Sequence, residues 1–256
     1  MADAPLLVLD QVGKTFHRRG STPLAAVKSV SLTVHVGEIV ALVGESGSGK
    51  STLGRIALGL LPPDSGRVTF DGHDLTGLSR SAFRRVRTGM QPIFQDSTAA
   101  LNPRRTVRQL LTQALWQNPV DVEARCVGLL EDVGMRPATR FLDSYPHELS
   151  GGQRQRVSIA RSLAMEPKLI IADEPLSGAD VSIRGQVLNL LLDIQDQREV
   201  AYLMITHDIS IARAFAHRVA VMMQGEVVEV GPADQVLRTP HHAYTQRLVA
   251  AAPVLA

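Results

Sequence analysis

The sequence predicts an α/β fold with a mainly parallel sheet, and three observations carry that expectation. Short apolar runs recur at 39–43, 169–172, 201–205 and 219–223, the length and texture of buried strands. Segments with helical apolar spacing, 52–61 and 186–194, follow two of those runs, and alternation of strand and helix favours parallel pairing. A glycine-rich loop, from Gly44 to Ser51, stands between the first run and the first helix.

Taken in order, residues 30–36 alternate loosely and Gly37-Glu38 reads as a turn into the strand at 39–43. The helix predicted over 52–61 is stopped by Pro62-Pro63, and 66–70 with the turn at Asp71-Gly72 suggests another strand. Between about 95 and 160 the texture changes. Strand signals are scarce there, while 107–116 and 122–133 carry helical spacing, so this stretch reads as a helical insertion. The strand signals then return, and Gln224-Gly225 turns into an apolar and acidic alternation over 226–230 that suits a hairpin.

A chain of 256 residues, 45% hydrophobic and 20% charged, suffices for one sizeable core and excludes a disordered tail or a fibrous repeat. Its 27 Lys plus Arg against 25 Asp plus Glu give a net charge of +2, which makes no case for nucleic acid as a partner. Cys126 is the single cysteine and lies in no metal-ligand spacing, so a buried apolar thiol is expected. The N-terminus shows no basic start before a long apolar stretch, and no run approaches the roughly 18 apolar residues of a spanning helix. The expectation is a cytoplasmic protein that leaves any membrane crossing to other subunits.

Three motifs carry chemistry. Gly44-Glu45-Ser46-Gly47-Ser48-Gly49-Lys50-Ser51 fits G-x-x-x-x-G-K-[ST] between a predicted strand and helix, the context that motif requires. Its glycines let backbone N–H groups line one concave loop at a helix N-terminus, Lys50 reaches terminal phosphates, and the Ser51 hydroxyl can ligate Mg²⁺. The apolar strand at 169–172 ends in Asp173-Glu174, at the carboxyl edge where parallel sheets gather ligands. Beside a phosphate loop, Asp173 suits Mg²⁺ and Glu174 suits an attacking water; alone, Asp-Glu-Pro after a strand is more often a capping turn. Leu149-Ser150-Gly151-Gly152-Gln153 opens a helix over 154–164 and reads either as a plain cap or as a second anion site.

In this order the phosphate loop, LSGGQ and the strand ending in Asp173-Glu174 resemble the nucleotide-binding domain of the ABC ATPase superfamily, over nearly the whole chain. The resemblance implies a RecA-like phosphate-loop NTPase core (about 1–94 and 162–240), an N-terminal antiparallel β part, a helical subdomain (about 95–161) and a short extension (241–256). It places nucleotide contacts along the loop from Gly44 to Thr52, stacks Phe16 on adenine, and makes Gln95 a Mg²⁺ sensor. It gives His207 the switch role at the γ-phosphate and adds Asp180 at the partner-facing loop. ATP is then sandwiched between two such domains arranged head to tail, the second domain supplying Ser150, Gly151, Gly152 and Gln153. Taken singly, Phe16 suits a core aromatic, Gln95 a loop polar residue and His207 a structural histidine.

The stretches 145–156, 94–96 with 101–104, 187–191 and 239–246 are similar to the dipeptide, oligopeptide and nickel importer ATPases. That likeness implies two permease subunits, a second identical or homologous ATPase, an external solute-binding protein, and peptide, nickel or another small solute as cargo. His241-His242 is expected to be structural or solvent-facing. One departure concerns Ser177-Gly178-Ala179-Asp180, where the family commonly has Ser-Ala-Leu-Asp; the missing leucine trims an apolar contact and Gly178 loosens the backbone. Non-transport ABC ATPases, such as DNA-repair or ribosome-associated ones, usually carry long coiled coils or two ATPase domains in one chain, neither of which is read here, and LSGGQ argues against a small-molecule kinase.

Overall fold

A computed structural model describes residues 4–17, 20, 22–94, 101–117, 121–176 and 181–252. Two sheets organise it. The first pairs β1 (Leu7–Phe16) with β2 (Leu24–Val34), then with β4 (Ser65–Phe70) and β5 (His73–Asp74), all antiparallel. The second contains β3 (Ile39–Val43), β6 (Met90–Ile93), β7 (Leu169–Asp173), β8 (Ala201–Thr206), β9 (Arg218–Met223) and β10 (Glu226–Pro232), in the order β10-β9-β3-β8-β7-β6. Every pairing in it is parallel except the β9–β10 hairpin. That hairpin turns through Gln224 at φ 48° and Gly225 at φ 89°, two left-handed residues whose twist suits a two-residue connection.

Strands β3 and β8 are buried along their whole length because the second sheet is covered on both faces. Side chains alternate between two apolar clusters in the two-residue period of a strand. Ile170, Ala172, Tyr202 and Met204 face the helical region, whereas Leu169, Ile171, Leu203 and Ile205 face the antiparallel sheet. A third cluster joins Ala41, Val43 and Val221 to helices near the C-terminus.

The helices are α1 (Lys50–Ala57), α2 (Arg80–Val86), α3 (Val107–Ala114), α4 (Val122–Asp132), α5 (Gly151–Leu163), α6 (Val181–Arg198), α7 (Ile209–Phe215), α8 (Ala233–Arg238) and α9 (Ala243–Ala250). A capping box between Thr106 and Gln109 starts α3, and the Asp121 side chain caps α4. Buried residues of α3, α4 and α5 meet in one cluster that includes Cys126, whose thiol is pushed up by burial. Among the described residues, no helix is long and apolar enough to cross a membrane.

Several elements differ from their sequence expectation. The helix predicted over 52–61 runs over Lys50–Ala57, because Gly59 turns to φ 63° well before the two prolines. The strand predicted over 30–36 is the end of β2, which begins at Leu24. Its earlier half hides from a period-two reading: Gln11 and Ser29 sit at φ 48° and 51°, and the pairing register shifts around them. Helix α6 extends at both ends beyond the segment 186–194.

Candidate functional site

The loop between β3 and α1 is held by its own polar groups. Ser48 N–H donates to the Glu45 carbonyl at 3.2 Å, and the turn residue Gly225 donates to the Ser48 carbonyl at 2.9 Å. Gly44 and Gly49 are required by space as well as by φ. A Cβ at Gly44 would lie 2.1 Å from the Met222 carbonyl oxygen, and one at Gly49 would lie 2.2 Å from that of Ala26. Lys50 is 5% exposed and donates to the carbonyls of Gly44 and Glu45 at 2.8 Å each. Burial holds its ammonium below the ordinary lysine range, while Glu174, Asp173 and Glu45 pull the other way. The buried hydroxyl of Ser48 has no hydrogen-bond partner, a polar atom aimed at nothing within the protein.

Next to the loop, the Ser51 hydroxyl donates to Asp173 Oδ1 at 3.0 Å. Burial raises the Asp173 carboxyl above the carboxylate range, and the Glu174 charge adds to that. A hydroxyl and a carboxylate with hard oxygen donors suit Mg²⁺, which keeps most of its shell for water and phosphate oxygens. The residues present therefore fit Mg²⁺.

Glu174 takes φ 46°, a left-handed conformation that costs a non-glycine residue about 1 kcal/mol or more, and its N–H donates to the Ile205 carbonyl at 2.9 Å. Its carboxylate meets His207 Nδ1 at 3.1 Å. This contact joins the residue after β7 to the residue after β8. Lys50, Ser51 and Glu174 line one cavity of about 790 Å³ with Ser46, Gly47, Gly49 and Thr52, and the exposed Phe16 belongs to the same lining.

Among the described residues lining that cavity, none comes from 150–153. Ser150 is the exposed N-cap of α5: its hydroxyl accepts from Gln153 N–H at 3.3 Å, and the Gln153 side chain accepts from Ser150 N–H at 2.9 Å. Gly151 and Gly152 form the first turn, so the cap exists and the first-turn amides complete a helix N-terminus at the surface. Gln155 is buried one turn later, and its side-chain amide donates to the Pro175 carbonyl, tying α5 to the loop after Glu174. Gln95 and the departure at Ser177, Gly178, Ala179 and Asp180 lie outside the described residues.

Sequence reasoning missed three supports of this site. Gln224 and Gly225 line the cavity from the β9–β10 turn, which a turn signal marked only as a hairpin. Gln155 reads in sequence as one more polar residue of a helix. Tyr244, on α9, accepts a hydrogen bond from Glu45 N–H at 3.0 Å, and nothing local in the sequence signals it.

A family model described as ABC transporter matches residues 27–177. The glutathione import ATP-binding protein GsiA of Escherichia coli (strain K12) is 48% identical over 233 residues, 90% of this chain and 37% of that protein. The probable peptide ABC transporter ATP-binding protein y4tS of Sinorhizobium fredii is 47% identical over 234 residues, 90% of this chain and 65% of that protein. The chain thus spans little more than a third of the length of the glutathione import relatives it matches. Among solved structures, the dimeric post-hydrolysis state of the cassette MJ0796 bound to ADP and Pi has a TM-score of 0.78 at 29% identity, covering 89% of this chain and 98% of that one. Another, cbiO1 from Clostridium perfringens, part of the transporter complex cbiONQ, has a TM-score of 0.80 at 29% identity, covering 92% and 91%.

Proposed function

The chain belongs to the ABC transporter family, and on that premise we propose that it is the ATP-binding and ATP-hydrolysing subunit of an importer for peptides or peptide-like solutes. One observation carries the reading: the phosphate loop and Glu174 line one cavity, with Asp173 hydrogen-bonded to Ser51 and His207 to Glu174, while the exposed Ser150 helix end takes no part in lining it. A single chain then holds two halves of two different ATP sites.

In this reading the whole chain is one ATP-binding domain, with its core at about 1–94 and 162–240, a helical subdomain at about 95–161 and an extension at 241–256. The loop amides from Gly44 to Gly49, with Lys50, Ser51 and Thr52, hold the phosphates of ATP, and Phe16 stacks on the base. Bound Mg²⁺ supplies charge compensation to the phosphates, with Ser51, Asp173 and Gln95 as its protein ligands or sensors. Glu174 orients the attacking water and takes its proton; His207 fixes the Glu174 carboxylate and reports on the γ-phosphate. Ser150, Gly151, Gly152 and Gln153 close on the ATP of a second ATPase subunit, and Asp180 serves the contact between them. Two permease subunits cross the membrane, an external solute-binding protein delivers cargo, and this chain sits on the cytoplasmic face.

Glu174→Gln tests the assignment. It is expected to keep ATP binding and to lower turnover by roughly 10² to 10⁴, the contribution of a general base. Near-normal hydrolysis by this variant, with the partner subunits present, would remove Glu174 from the role.

A further inference from the structure

The peptide unit between Gly44 and Glu45 is gripped at both ends. Its carbonyl oxygen accepts from Lys50 Nζ at 2.8 Å, and its N–H donates to the Tyr244 hydroxyl at 3.0 Å, across 199 positions of sequence. Because the unit is planar, rotation about its axis swings both groups together. Losing the hydroxyl therefore frees the carbonyl that seats the ammonium.

Tyr244 is itself firmly placed. It is 5% exposed and packs in the cluster that holds Val43, the last residue of β3 before the loop, and Val221, its register partner on β9. The start of α9 is pinned to β10, since the Glu229 carboxylate accepts from His241 N–H at 2.8 Å and His242 N–H at 3.1 Å. His242 Nδ1 in turn accepts from Tyr244 N–H at 3.2 Å. The adjacent histidines thus act as a structural anchor for the tyrosine.

We infer that Tyr244 is a positioning residue for nucleotide binding, its hydroxyl fixing the peptide plane on which Lys50 rests. The consequence for ATP rests on the function proposed above, whereas the restraint on the Glu45 amide does not. Tyr244→Phe in the full chain separates the two, because it keeps the ring and removes only the hydroxyl. In nucleotide-free buffer, the Glu45 amide is expected to exchange with solvent about tenfold faster than in wild type, with the melting temperature lowered by no more than about 2–4 °C, the worth of one hydrogen bond in a chain of this size. The Kd for a fluorescent ATP analogue and the KM for ATP are expected to rise about 2- to 10-fold, the worth of one neutral hydrogen bond, with kcat held. Unchanged Glu45 exchange overturns the inference, and so does an unchanged Kd. If wild type binds no ATP, the functional reading fails and takes the nucleotide role of Tyr244 with it, whereas, when wild type does bind ATP, faster Glu45 exchange in the variant without a change in Kd overturns the inference alone.

Discussion

Lys50 occupies a position where burial and charge oppose each other. Desolvation disfavours its ammonium, three nearby carboxylates favour it, and two loop carbonyls accept its hydrogen bonds. Lys50→Ala therefore removes the cation proposed to meet phosphate and two struts of the loop at once. The expected outcome is loss of ATP hydrolysis to about 1% or less with the circular dichroism of the fold retained, since the loop stands at the surface. Equal hydrolysis rates for variant and wild type would contradict the phosphate loop. At this scale much was legible, because the loop from Gly44 to Ser51 and the pair Asp173-Glu174 are contiguous in sequence and each sits at a strand end. The sequence gives no sign that Glu174 stands at a left-handed φ, or that Tyr244 and Gln155 buttress the site, since those contacts join distant segments.

Among the elements, the antiparallel sheet depends on polar ties that periodicity does not reveal. The Asp64 carboxylate accepts from Lys14 Nζ at 2.6 Å and Thr15 N–H at 2.8 Å, linking the end of β1 to the entry of β4. The Lys14 hydrogen bond first, and the Thr15 amide second, hold the Asp64 carboxyl below its ordinary value of 3.8. A carboxyl lowered in the folded state stabilises above its unfolded pKa, and that stabilisation is lost as pH falls through the folded value. Asp64→Asn should lower the melting temperature by about 1–2 °C at neutral pH, a small effect because the group is exposed. The gap should close only below pH 3.8, followed by melting scans from pH 7 to 3; a pH-independent gap would contradict it. The central strands were legible because continuous apolar runs need burial on both faces. Strand β1, the first half of β2 and the short helices α2, α7 and α8 were not, since bulges break alternation and a two-turn helix shows too little period to detect.

The molecule as a whole presents a phosphate loop at one cavity and the Ser150 helix end at another surface, an arrangement that makes sense when two chains face each other. The parallel sheet follows from alternating strand and helix signals, but the proposed pairing of one chain's loop with another chain's helix end is written in no single segment. If the subunit pairs with itself, mixing Ser150→Arg with Lys50→Ala protein leaves one intact composite site in each mixed dimer. Such a mixture should regain up to about a quarter of wild-type hydrolysis, since random pairing makes half the dimers mixed and each has one of two sites. The most direct measurement is hydrolysis by Ser150→Arg in the complex reconstituted with its permeases and any second ATPase. The shared-site account predicts that the isolated variant binds ATP as wild type does, while the complex hydrolyses it roughly 10² times more slowly or worse, because an obstructed interface misplaces the reacting groups. Hydrolysis at the wild-type rate in that complex would contradict it.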